Sequence, residues 1–123
     1  MMKKVDIDLN AINEYVSNLG NFNLGPFISI KKMKGGRSNP NYLIATKNSR
    51  YVLRRQPFGK LLKSAHNVSR EYQVLNALKH TSIPVPEVVH LCTDQSVIGV
   101  HFYIMRFVQG QISTLFHLPQ LDN

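Results

Sequence analysis

Hydrophobic side chains recur along the chain at two spacings, one typical of helices and one typical of strands. In residues 8–19 and 64–80 they fall three or four positions apart, which predicts two helices. Asp8 and Ser64 are suited to cap the first turn of each helix, and Gly20 is suited to end the first one. The second helix has the longer apolar stripe and is therefore expected to be the main packed helix.

Five shorter apolar segments, bounded by glycine, proline or polar residues, predict strands. They are residues 27–33, 42–46, 51–55, 87–92 and 101–107. The first three are joined by connections too short for a crossover, so we expect them to form an antiparallel meander. The complete order predicts an α+β domain with a five-stranded antiparallel sheet, one main packed helix and an N-terminal helix.

The composition of the chain limits it to one compact domain. Its 123 residues are 43% hydrophobic and 18% charged, which supports a modest core and argues against disorder along the whole length. There is no signal-peptide pattern and no apolar run near the ~20 residues that span a bilayer, so no membrane partner is expected. The single cysteine, Cys92, excludes an internal disulfide framework and fits a reducing compartment. We therefore expect a cytoplasmic protein.

The chain carries an excess of positive charge. Its 15 Lys and Arg residues outnumber 7 Asp and Glu residues, giving a formal net charge of +8. Such an excess attracts polyanions, including nucleotide phosphates, nucleic acid and acidic membranes. The basic residues are divided among several clusters, and most of the lysines are interpreted as solvated surface. The charge therefore favours an anionic ligand without identifying it.

Glu71 lies within the apolar stripe of the second predicted helix. It follows Val68 by three positions and precedes Leu75 by four, so it shares their face. A carboxylate on that face is costly unless it is paired, although a glutamate at the edge of the stripe can also reach water. Arg54, near the end of the third predicted strand, is an available partner. A pair between them would hold a cation at one end of the sheet, where it could serve a phosphate.

A glycine turn joins the first two predicted strands and contains Gly35, Gly36, Ser38 and Asn39. Glycine backbone can approach a ligand closely, its N–H groups can bind anions, and the serine and asparagine add side-chain donors. The turn is neither a P-loop nor a dinucleotide fingerprint. Taken alone, it is better interpreted as an ordinary hairpin.

Residues 103–110 form an apolar strand that runs into Gly110, and its backbone could bond an adenine edge. Taken alone, this segment is better interpreted as a core strand that ends in a turn. The order of parts is more informative than any one part. A glycine turn, a basic strand, a helix with a glutamate and a strand ending in glycine follow one another as in a protein-kinase-like N-terminal lobe.

In its motifs the chain resembles the N-terminal lobe of the aminoglycoside phosphotransferase family, and within it the kinase-like domain fused to some acyl-CoA dehydrogenases. The matching segments are residues 36–43, 51–57, 59–62, 64–66, 70–72, 84–86 and 99–105, in one order. The resemblance implies that residues 1–110 form an ATP-binding lobe. It implies that residues 111–123 are the hinge and the start of a C-terminal lobe that is missing.

The resemblance also implies roles for particular residues. Arg54 stands where kinases usually carry the phosphate-pairing lysine, and Glu71 orients it. Met105 lies at the back of the adenine pocket, while the carbonyl of Arg106 and the N–H of Val108 meet the adenine edge. The four glycine-turn residues approach the phosphates. The implied cofactors are ATP and Mg²⁺, and the implied reaction moves the γ-phosphate of ATP to a hydroxyl of a small-molecule substrate.

The residues that would carry out this transfer are not found in the chain. The family's catalytic loop needs the spacing H-x-D-x-x-x-x-N, and none of the five histidines begins it. Asp6 and Asp8 are interpreted as a helix-entry segment and Asp94 as a turn residue. We therefore expect the chain alone to be catalytically silent, with the Mg²⁺ ligands and the substrate contacts in the missing lobe.

Two alternatives to the phosphotransferase hypothesis remain open. The chain could be a basic binding module for nucleic acid or another acidic partner, without catalysis. It could also self-associate through the face that should meet the missing lobe. Phe102, Tyr103 and Phe107 could form a stacking platform for nucleic acid, but without an RNP-type signature they are interpreted as core, and nucleic acid is not the favoured partner. Cys92 is interpreted as a small buried strand residue.

Overall fold

The computed structural model describes residues 7–19, 26–33, 40–56 and 68–107. Within them lie two helices and five strands: α1 (Leu9–Ser17), β1 (Ser29–Lys32), β2 (Asn41–Ala45), β3 (Arg50–Arg55), α2 (Val68–Leu78), β4 (Val88–Cys92) and β5 (Phe102–Arg106). Both predicted helices and all five predicted strands are confirmed, and within the described residues their ends differ from the predicted ones by at most two positions. The predicted helix signals Ser64 and Gly20 lie outside the described residues.

The five strands form one sheet in the order β1-β2-β3-β5-β4, and every neighbouring pair is antiparallel. The predicted meander is confirmed for the first three strands. The last strand in sequence, β5, lies inside the sheet between β3 and β4. Four consecutive residues of β5, from Phe102 to Met105, are fully buried for that reason.

The two helices pack on opposite faces of the sheet. Alternate residues of a strand point to opposite faces, so neighbouring residues of β3 and β5 join different clusters. The α1 face is formed by Ile7, Ile12, Val16, Phe27, Tyr42, Ile44, Tyr51, Leu53, Cys92, Phe102 and Ile104. The α2 face is formed by Val52, Val68, Leu75, Val88, Tyr103 and Met105. The aromatic residues Phe102 and Tyr103 are thus core residues, as the sequence predicted.

Polar contacts cap α1 and fix it to Phe27, ahead of β1, and to β4. The Asp8 carboxylate accepts from the N–H of Asn10 at 3.0 Å, which confirms the predicted cap. The Asn13 side chain both donates to the Phe27 carbonyl at 2.9 Å and accepts from the Phe27 N–H at 2.8 Å. The Tyr15 hydroxyl lies 2.6 Å from Nε2 of His90 on β4. Burial raises the pKa of Tyr15 above its ordinary range, so the hydroxyl keeps its proton at neutral pH. The tautomer of His90 sets which of the two groups donates.

The burial of His90 beneath α1 predicts a loss of stability in acid. Burial lowers the pKa of His90 below its ordinary value of 6.5, so the folded chain keeps the ring neutral where the unfolded chain takes up a proton. The free energy of unfolding is therefore expected to fall as the pH drops through 6.5. Urea unfolding above and below that pH measures the free energy of unfolding. It should change less with pH in His90→Gln than in the unmodified chain, because glutamine cannot become charged. An equal change with pH in the two proteins would show that His90 is not the source of the acid sensitivity.

The end of β4 contains the remaining residues that the sequence singled out in this region. Cys92 is fully buried, and its thiol contacts the carbonyl of Asp94 at 3.6 Å. The Asp94 carboxylate accepts from the N–H of Ser96 at 2.9 Å and from its hydroxyl at 2.6 Å, which confirms that Asp94 is a turn residue.

In the described ranges, neither helix is long and apolar enough to cross a membrane. The same ranges contain no cluster of three or more histidine, cysteine, aspartate or glutamate side chains that could hold a metal ion.

Candidate functional site

An ion pair between the buried Arg54 and the largely buried Glu71 joins the sheet to α2, as the sequence predicted. Nε of Arg54 donates to Oε1 of Glu71 at 2.6 Å, and Nη2 donates to Oε2 at 3.2 Å. Two parallel bonds of this kind fix the guanidinium and the carboxylate in one plane. Only 6% of the Arg54 side chain and 11% of the Glu71 side chain are exposed. The pairing is possible because Glu71 stands in the first turn of α2, on the side that faces the strands.

Among the described residues, two neutral side chains also bond to this pair. Nη1 of Arg54 donates to Oδ1 of Asn41 at 3.1 Å, and the Tyr103 hydroxyl donates to Oε1 of Glu71 at 3.0 Å. The strand register explains the grouping, since Arg54 lies opposite Asn41 on β2 and opposite Tyr103 on β5. Three strands and one helix therefore each contribute one polar side chain to a single buried cluster.

The sequence reasoning did not assign Asn41 or Tyr103 to the site. In the sequence, Asn41 is only part of a motif, and the pattern predicts Tyr103 as a core residue, which is correct for its ring. A signal for Asn41 was available, because the short connection between β2 and β3 fixes which of their residues face each other. For Tyr103 the sequence held no equivalent signal, because β5 reaches β3 only after α2 and β4 have intervened.

Burial determines the protonation state of the tyrosine in this cluster. Its burial, followed by the negative charge of Glu71, raises the pKa of the Tyr103 hydroxyl well above its ordinary value of 10.0. The positive charge of Arg54 acts in the opposite direction and is the smaller effect. The Tyr103 hydroxyl therefore keeps its proton at neutral pH and acts as a donor to the carboxylate.

Met105 lies on the same face of the sheet as Arg54. It is fully buried among apolar side chains that include Val52 and Val68. Its partner in the register is Val52, which precedes Arg54 by two residues on β3. Two strand residues span about 7 Å. The residue predicted at the back of an adenine pocket and the predicted phosphate cation are thus neighbours on the α2 face.

Arg106 ends β5 and is tied to the start of β4. Its N–H donates to the Glu87 carbonyl at 2.9 Å, and its Nε donates to the Glu87 carboxylate at 3.1 Å. Its guanidinium also lies 5.7 Å from the ring centroid of Tyr51. These contacts use the N–H and the side chain of Arg106. They do not compete with the predicted contact to adenine, which uses the carbonyl of Arg106.

The two predicted halves of the nucleotide site lie at opposite ends of the sheet. The glycine turn leaves and rejoins the sheet beside Arg54, where the Met33 N–H donates to the Asn41 carbonyl at 2.9 Å. The chain leaves β5 at the other end, where the Phe107 N–H donates to the Arg50 carbonyl at 3.3 Å. Arg50 and Arg54 are separated by four strand residues, or about 13 Å. The predicted contacts of Gly35, Gly36, Ser38, Asn39 and Val108 lie outside the described residues.

A second buried arginine follows Arg54 and points to the opposite face. Arg55 is 3% exposed and lies on the α1 face, where its Nε donates to the Tyr42 hydroxyl at 2.9 Å. Its Nη1 donates to the Gln56 carbonyl at 2.8 Å. Adjacent arginines of β3 therefore occupy different environments, and of these two it is Arg54 that shares a face with α2 and Met105.

Comparison with known proteins gives consistent matches. The model of a family described as "Phosphotransferase enzyme family" matches residues 29–123. A solved structure titled as a candidate aminoglycoside phosphotransferase from Ralstonia eutropha superposes with a TM-score of 0.68 at 36% identity, covering 86% of this chain and 29% of that one. The superposition agrees with a kinase-like N-terminal lobe, the fold predicted from the sequence.

Curated relatives extend the similarity to fused enzymes. "Probable acyl-CoA dehydrogenase IBR3" of Arabidopsis thaliana is 48% identical over 112 residues, which are 86% of this chain and 13% of the relative. "Acyl-CoA dehydrogenase family member 10" of Mus musculus is 38% identical over 121 residues, which are 98% of this chain and 11% of the relative. The chain thus spans a small part of each relative. These matches confirm the resemblance that the motifs indicated.

Proposed function

Since the chain belongs to the phosphotransferase enzyme family, we propose that it binds Mg-ATP as the N-terminal lobe of an enzyme that phosphorylates a small-molecule hydroxyl. The observation that carries the proposal is the buried pair of Arg54 and Glu71, on the same face of the sheet as Met105. Phosphoryl transfer depends mainly on positioning and on electrostatic stabilisation, which are the contributions that a fixed cation makes.

In this proposal the ATP molecule lies along the face of the sheet that carries Arg54 and Met105. The adenine would pack against Met105, with its edge at the carbonyl of Arg106 and at the N–H of Val108. The phosphates would extend towards Arg54 and the glycine turn. The charge of an arginine is delocalised over a planar fork and persists at every physiological pH, so it suits a cation that must be shared between a carboxylate and a phosphate.

The transfer step itself is assigned to residues outside this sequence. The H-x-D-x-x-x-x-N spacing is absent from the 123 residues, while the relatives are several times longer than the part they share with this chain. When bound, Mg²⁺ would neutralise charge on the β- and γ-phosphates. We place its ligands, the catalytic base and the acceptor contacts in the rest of the enzyme. The cytoplasmic location also stays a prediction from the sequence.

Titration of the chain with Mg-ATP and with tripolyphosphate tests the proposal. We expect saturable binding of Mg-ATP, with chemical-shift changes at β3, β5 and the start of α2. Tripolyphosphate should bind more weakly, because it lacks the adenine that would pack against Met105. The alternative of a basic module predicts binding to oligonucleotides with a steep salt dependence and no effect of nucleotide. That pattern, together with no Mg-ATP binding even when a C-terminal lobe is supplied, would contradict the proposal.

A further inference from the structure

The ion pair between Arg54 and Glu71 is held at each end by a buried neutral side chain. Oε1 of Glu71, which accepts from Nε of Arg54, also accepts from the Tyr103 hydroxyl. Nη1 of Arg54, a nitrogen that does not contact Glu71 in these bonds, donates to Asn41. Tyr103 is fully buried, and Asn41 is 5% exposed. Each charged group is thus fixed by a second contact that does not depend on the other.

We propose that Tyr103 and Asn41 are positioning residues that hold Arg54 and Glu71 in their paired geometry before a nucleotide binds. This inference rests on the proposed function, because it concerns the phosphate cation of that site. A paired arginine and glutamate have long side chains that can swing together. Two additional bonds restrict that motion, so less side-chain entropy is lost when the ligand binds.

The orientation of Tyr103 supports a role beyond filling the core. Its ring is set by an edge contact with Tyr72, the neighbour of Glu71 on α2, at 6.0 Å between centroids. Phenylalanine would fill nearly the same volume without a hydroxyl that needs a buried partner. Within the described residues, the hydroxyl of Tyr103 bonds to the carboxylate that orients Arg54. The hydroxyl therefore acts on the position of the ion pair.

Two tyrosine-to-phenylalanine variants, each lacking one buried hydroxyl, separate this positioning role from an effect on general stability. In Tyr103→Phe, we expect the Nε proton of Arg54 to exchange with water about tenfold faster, and Mg-ATP to bind about tenfold more weakly, since a bond to a charged group contributes that much. Exchange is read by NMR on the full chain with isotope-labelled arginine and no nucleotide. Tyr42→Phe is the matched control, because it removes a hydroxyl that contacts Nε of Arg55 on the opposite face. It should alter Arg55 and leave Arg54 and the affinity unchanged.

The outcomes separate this inference from the proposed function. Unchanged exchange at Arg54 in folded Tyr103→Phe would overturn it, as would equal effects of both tyrosine variants on Arg54. If Tyr103→Phe does not fold, Asn41→Ala is read in the same way. In the unmodified chain, the Nε proton of Arg54 must also exchange more slowly than that of Arg106, whose side chain is 52% exposed. A chain that binds no Mg-ATP even when a C-terminal lobe is supplied refutes the proposed function, while the exchange rates still decide the positioning role.

Discussion

Replacing Glu71 with alanine is expected to lower the free energy of unfolding of the chain by about 3–5 kcal/mol, the cost of leaving a buried charge without its partner. Arg54 is 6% exposed at its side chain and would remain in place without its carboxylate. The Tyr103 hydroxyl would lose its acceptor at the same time. Urea unfolding followed by far-UV circular dichroism measures the change.

The chain contains a matched control for this substitution. Glu87 and Arg106 form the same type of contact at 3.1 Å, but their side chains are 60% and 52% exposed. Water and salt screen such a pair, so Glu87→Ala is expected to cost less than about 1 kcal/mol. Equal losses for the two alanine variants would show that burial of Arg54 is not the cause. Replacing Arg54 and Glu71 together by Met and Leu should recover only part of the stability, because neither charge then remains but the Tyr103 hydroxyl and the Asn41 amide lose these partners.

Replacing Arg54 with methionine is expected to weaken Mg-ATP binding by about thirtyfold, as is typical when one charge of a buried charged contact is removed. Methionine fills much of the same space, so the change removes mainly the cation. The affinity of Arg54→Lys for Mg-ATP should lie between those of the unmodified chain and Arg54→Met. The compact ammonium of lysine keeps the charge but cannot reproduce the planar contact with Glu71 and the bond to Asn41 together. Isothermal titration calorimetry gives the affinities.

The adjacent arginine provides the control for this series. Arg55→Met removes the same charge from the next residue of β3, but on the face that carries α1. It is expected to lower stability and to leave the affinity for Mg-ATP close to that of the unmodified chain. If both methionine variants lose affinity equally, net charge and not the geometry of Arg54 explains the binding.

The sequence predicted the parts of the site that depend on local patterns. Glu71 within an apolar stripe required a partner, and Arg54 supplied it, because helix periodicity fixes a face without knowledge of the fold. The meander of β1, β2 and β3 followed from short connections. The contribution of Tyr103 could not be predicted in this way. It depends on the pairing of β5 with β3. No short turn specifies this pairing, because α2 and β4 lie between the two strands in the sequence.

The position of α1 was beyond the sequence for a similar reason. Its apolar stripe predicted that it packs, but both faces of the sheet are apolar and either could have received it. The choice is made by contacts distant in sequence, such as those of Asn13 with Phe27 and of Tyr15 with His90. The pairing of β4 with β5 was also beyond the sequence, because it contains a register shift between Val88 and His90 that no pattern of residues indicates.

The tandem arginines of β3 show how the correct cation is selected. A shift of β3 by one residue would present Arg55 in place of Arg54 to Glu71, so charge alone cannot distinguish the two registers. The same shift would exchange Val52 and Leu53 between the faces and misplace every apolar side chain of the strand. The identity of the cation in the site is therefore decided by the uncharged residues of the same strand. Substitutions far from any ligand, in the core of β3, can then alter the chemistry of the site without removing a polar group.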